Sequence, residues 1–160
     1  MKLRRYFPLG KAYGKAFCNR EAQTAKLVDN IKRGVHSFLL APRRYGKSSL
    51  CEKAFIEAAL THVQVDFHLA VSEKDVERFI LKGVIDAIGQ SMGQVDKWVN
   101  VIKQTVKHLK PKLDISAGPF TLELEVGSNS TPAENVAEAL LLLDTLLQET
   151  DKQAVVLFDE

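Results

Sequence analysis

The sequence predicts an α/β fold: a mostly parallel sheet covered by helices on both faces. Three observations predict it. Short apolar runs of strand length alternate along the chain with longer segments of helical periodicity. Two of those runs, residues 35–41 and 154–158, are short and mostly apolar, as buried strands are, and each ends at a breaker or an acid. A strand–turn–helix junction rich in phosphate-binding residue types lies directly after the first run. Strands separated by helical crossovers run parallel and need cover on both sides.

The elements follow in order. Asn19 is a good N-cap for a helix over residues 20–33, with Ala22, Ala25, Leu27, Val28 and Ile31 as its apolar positions and Gly34 as its stop. Residues 35–41 read as a buried strand bounded by Pro42, and a second helix opens at Gly46-Lys47 and runs to about residue 60. Residues 63–69 alternate and predict the second strand. Ser72 with Asp75 three positions later resembles a capping box, opening a helix to about Ser91 that Gly83 and Gly89 weaken. A helix over residues 95–109 carries Trp98, Val99, Ile102, Val106 and Leu109 on one stripe, and Pro111 ends it. Residues 120–126 alternate strictly and predict one arm of a β-hairpin with residues 113–117. Thr131-Pro132-Ala133-Glu134 joins an N-cap, a first-turn proline and a capping-box glutamate, and starts a helix to about Glu149. The strand 154–158 then leads into Asp159-Glu160.

Composition bounds the function. With 160 residues, 46% hydrophobic and 26% charged, the chain has the make-up of one soluble domain over residues 1–160. No apolar run approaches the ~20 residues that cross a bilayer, and no apolar signal core follows Lys2, Arg4 and Arg5, so no membrane role and a cytoplasmic location are expected. Cys18 and Cys51 form no CxxC pair and read as reduced thiols; His36, His62, His68 and His108 show no ligand spacing. Lysine and arginine exceed acids by ten over residues 1–53, and acids exceed bases by eight over the rest. Such a basic block suits nucleic acid or the rim of a phosphate site.

The chemistry concentrates in Ala41-Pro42-Arg43-Arg44-Tyr45-Gly46-Lys47-Ser48-Ser49. A polyphosphate must lose water to bind, and inward-pointing backbone amides at a helix N-terminus replace that water. Glycine permits the tight turn. Lys47 reaches the β- and γ-phosphates, and the Ser48 hydroxyl ligates Mg²⁺. Ala41 stands where the GxxxxGK[ST] pattern has its first glycine, with the spacing kept. Alanine is strained there only if the position needs a positive φ. At the other end, Asp159 follows a buried strand, where open α/β sheets bind ligands, and is expected to hold Mg²⁺ through water. Glu160 is placed to orient and activate an attacking water.

Three segments together resemble the archaeal-type ATPases of the AAA+/STAND group of P-loop proteins: Phe17-Cys18-Asn19-Arg20-Glu21, the phosphate loop (Walker A) and the terminal Leu157-Phe158-Asp159-Glu160 (Walker B). The resemblance implies a three-layer α/β/α P-loop NTPase domain, with ATP and Mg²⁺ as ligands. It makes Phe17, Asn19 and Arg20 candidates for the adenine side, with a helix cap as the alternative. It also implies the strand order 5-1-4-3-2. The strand after Asp-Glu would then separate the phosphate-loop strand from the Asp159 strand, and this chain stops before it. Direct pairing of the flanking strands, a strand-exchanged dimer or other homo-oligomer, and exposed sheet edges are the three outcomes expected. Hydrolysis is accordingly expected of a full-length parent, and nucleotide binding of this chain. The alternatives are a non-hydrolysing nucleotide-binding scaffold or signalling module, and a nucleic-acid-associated ATPase. A GTPase is disfavoured because no NKxD-like motif is present.

Overall fold

A computed structural model of the chain describes residues 20–42, 45–91, 99–114, 121–126 and 130–159. It is an α/β structure with a small parallel sheet, a separate hairpin and five helices among the described residues. The chain divides into two compact units, Met1–Leu60 and Thr61–Glu160.

In the first unit, helix α1 (Glu21–Lys32) packs against α2 (Lys47–Ala58). Arg20, not Asn19, occupies the N-cap position of α1; Asn19 lies outside the described residues. The helix ends as its sequence predicts. Gly34 takes a left-handed φ of 66°, its N–H donates to the Ile31 carbonyl, and the Val35 N–H reaches back to Asn30 at 2.8 Å. This pair of bonds is a Schellman stop, and only glycine enters its turn without strain. Helix α2 ends on Ala59 at φ 56°, a left-handed position filled without glycine.

The strand expected over residues 35–41 is not formed. These residues make no ladder, and Phe38 and Leu40 are each 94% exposed. An apolar run records a tendency to be buried, but a strand also needs a neighbour to accept its backbone hydrogen bonds. Among the described residues none does so.

In the second unit, β1 (Thr61–Asp66) and β4 (Ala154–Asp159) pair in parallel, Thr61 opposite Ala154 through Asp66 opposite Asp159. The helices α3 (Glu73–Ser91) and α5 (Pro132–Glu149) lie between them in sequence and supply the crossover. Val63 and Val65 bury one sheet face in a core with Ile80, Val84, Leu142 and Leu146. Gln64 and Asp66 alternate onto the other face and are exposed. Strand β1 begins and ends earlier than the alternation over 63–69 suggests: its ladder with β4 opens at Thr61 opposite Ala154, and Phe67 turns into a loop.

Helix α4 (Val99–Thr105) stops short of the expected residue 109. Leu109 instead opens β2 (Leu109–Asp114), which pairs antiparallel with β3 (Thr121–Val126) and carries Pro111 within the strand. The hairpin is therefore present, with its first arm starting four residues before the expected 113. The Glu138 carboxylate on α5 explains the early stop: it accepts the backbone N–H groups of Lys107, His108 and Leu109. Glu77 and Asn135 form a buried polar pair between α3 and α5 at 2.6 Å.

The caps of α3 and α5 match the sequence reading. The Asp75 N–H donates to Ser72 Oγ, and the full capping box of Thr131 and Glu134 is present. The Ser72 hydroxyl and the Val71 N–H hold the Asp75 carboxyl below its ordinary value, and the Thr131 N–H and hydroxyl do the same for Glu134. A carboxyl lowered by folding stabilises the fold above its unfolded value, and that stabilisation is lost as pH falls through the folded value. Acidification below about pH 4 is therefore expected to fray the first turns of α3 and α5 before the core opens. Amide exchange at Asp75 and Glu134 followed down in pH checks this; uniform loss of protection across the unit contradicts it.

Candidate functional site

The two halves of the expected site fall in different units and are described separately. In the first unit, the loop before α2 turns at Tyr45, whose N–H donates to the Pro42 carbonyl at 3.3 Å. Gly46 then occupies the N-cap position at φ 73°, ψ 30°. A Cβ there would meet nothing within 4 Å, so glycine is required by conformation rather than by space. Its carbonyl accepts from the Leu50 N–H at 3.0 Å and starts the helix.

Lys47 is the first residue of α2, and its ammonium folds back across the loop to donate to the Ala41 carbonyl at 2.9 Å. The pattern's two ends are thus tied together, with Lys47 half-buried and its charge held at the loop. Ala41 is not among the described non-glycine residues with positive φ, which are Ala59 and Asp151. Alanine at that position therefore carries no left-handed strain, and replacing the first glycine leaves the backbone unpenalised. Ser48 is half-buried and Ser49 buried. The N-cap Gly46 brings no side chain to the first turn of α2, and no acid lies within that turn to cancel its positive end. Arg43 and Arg44 lie outside the described residues, as do Phe17 and Asn19.

In the second unit, Asp159 ends β4 opposite Asp66, which ends β1. Gln64 Nε2 donates to Asp159 Oδ2 at 2.8 Å and orients that carboxylate across the strand pair. Asp66 Oδ1 accepts from the His68 N–H at 2.9 Å, while the Asp159 carbonyl accepts from the Phe67 N–H. Parallel pairing thus sets two carboxylates side by side at the C-terminal end of the sheet. Gln64 and Asp66 were not singled out from sequence. Their alternation onto the polar face was visible, but their pairing with Asp159 depends on a register across 95 residues. Glu160 lies outside the described residues.

Among the described residues no group of three or more His, Cys, Asp or Glu is arranged to hold a metal. Among the described residues no helix is long and apolar enough to cross a membrane. Comparison with family models, with curated proteins and with solved structures gives no match.

Proposed function

We propose that this chain binds Mg-ATP through the loop of residues 41–49, as the nucleotide-binding part of a P-loop ATPase. The observation that carries the reading is the loop itself: left-handed Gly46 at the mouth of α2, with Lys47 drawn back to Ala41. That arrangement gathers the α2 amides and one ammonium around the place where polyphosphate oxygens are held in such loops. In this reading Lys47 neutralises the β- and γ-phosphates, Ser48 supplies a hydroxyl to Mg²⁺, and Asp159 serves the metal through water. Glu160 is the base for water, should the site turn over. Bound Mg²⁺ would supply charge neutralisation across the phosphates.

The sheet supports the reading independently. β1 and β4 are the second strand and the Asp159 strand, which the resembled 5-1-4-3-2 order places side by side, and they are parallel neighbours. Gln64 fixes the Asp159 carboxylate, which suits a residue whose direction matters.

Titration with a fluorescent ATP analogue and Mg²⁺ tests the proposal. The wild-type chain is expected to bind and Lys47→Ala to bind at least about tenfold more weakly, as a lost charge-assisted contact predicts. Equal affinity in the two proteins, or no binding by a folded wild type, would refute it. If binding holds, Glu160→Gln separates an ATPase, in which it traps ATP, from a scaffold, in which it changes little.

A further inference from the structure

Three successive backbone amides converge on one carboxylate. The N–H groups of Lys107, His108 and Leu109 all donate to Glu138: Lys107 to Oε1, Leu109 to Oε2 at 3.0 Å, and His108 to both, at 3.1 Å and 2.9 Å. His108 Nδ1 stands 3.8 Å from the same Oε2. Both oxygens are thus engaged by a single stretch of main chain, whose donors are spaced for a planar two-oxygen anion. Glu138 reaches this place from α5, 29 residues along the chain from Leu109. The recognition is done by the amides, and the side chain that fills the site belongs to another element.

Other contacts hold the walls of the site. Asn135, one turn earlier on α5, bonds Glu77 of α3, and Ala139, Leu142 and Leu109 are buried together in the core. The strand that follows the amides is paired from its first residue, Leu109 opposite Val126. None of these contacts uses the Glu138 side chain. Truncation to alanine removes a CH₂–COO⁻ group, and the acetate ion has those same heavy atoms.

We propose that residues 107–109 form a carboxylate-binding site that Glu138 occupies from within, and that a small free carboxylate binds there once that side chain is removed. In the wild type the internal ligand has no translational freedom to lose, so it excludes added anions. The proposal does not depend on nucleotide binding.

Glu138→Ala in the 160-residue chain tests this, with the amide resonances of ¹⁵N-labelled protein followed as sodium acetate replaces sodium chloride at constant pH and ionic strength. Lys107, His108 and Leu109 are expected to shift and saturate, with a midpoint between about 1 and 100 mM, as weak as a ligand of so few atoms must be. The urea midpoint of this variant should rise over the same range. The wild type and Glu138→Gln, whose sites are filled, should show neither response. Should the alanine variant be unfolded in chloride, acetate is expected to restore its helical circular dichroism where chloride does not. Shifts that fail to saturate or that miss all three amides overturn the proposal, as does an alanine variant that stays unfolded in acetate. An equal rise in stability in all three proteins also overturns it, since that is a general salt effect.

Discussion

Glu138→Ala is expected to destabilise the second unit by about 2–4 kcal/mol, from the loss of charge-assisted bonds and the orphaning of a buried amide. One carboxylate, itself buried on α5, accepts three successive backbone N–H groups: Lys107, His108 at 2.9 Å and Leu109 at 3.0 Å. These amides form the turn between α4 and β2, so the side chain acts as an anion seated in a backbone nest. Water can replace it at the exposed Lys107 and His108 but not at Leu109, which is buried. Glu138→Gln keeps an acceptor without the charge and should cost roughly half as much. Urea unfolding of the three proteins checks the series. A loss under about 1 kcal/mol for the alanine variant would show that the turn holds without the carboxylate.

Gly83→Val is expected to cost about 3 kcal/mol, at the upper end of overpacking effects. Glycine within a helix usually signals weakness, and alanine there would ordinarily gain about 1 kcal/mol. Here α3 crosses β1 so closely that a Cβ on Gly83 would stand 2.4 Å from Val65 Cγ2. Val65 is buried and β-branched, so its methyl groups have little room to rotate away. Gly83→Ala is expected to be net destabilising by about 1 kcal/mol, its helix gain outweighed by the clash. The diagnostic experiment is the pair Gly83→Ala with Val65→Ala: removing the obstructing methyls should recover much of the loss from the first change, a coupling that independent sites do not show.

How much of this was legible depended on how local each cause was. The α5 start was readable because Thr131, Pro132 and Glu134 specify it within four positions, and the structure holds both capping-box bonds. Gly34 and Gly46 were readable for the same reason: each turn needs a left-handed residue at a fixed place. The end of α4 was not, because Leu109 fits the helical stripe and the group that stops the helix lies 29 residues away. The start of β1 followed its register with β4, which local alternation does not contain. Residues 35–41 mark the sharpest divergence, since their apolar character was correct and their pairing was not. At the site, the Gly46-Lys47 turn was fully local. The neighbourhood of Asp159 with Gln64 and Asp66 needed the register of two distant strands.

The most direct test of the phosphate-loop account is to follow the amide resonances of ¹⁵N-labelled protein while Mg-ATP is added. If residues 41–49 hold the phosphates, the largest and saturating shifts should fall on Gly46, Lys47, Ser48 and Ser49, whose amides open α2. Little change should occur along the hairpin of β2 and β3. Saturating shifts centred elsewhere, with those four amides unmoved, would contradict the account.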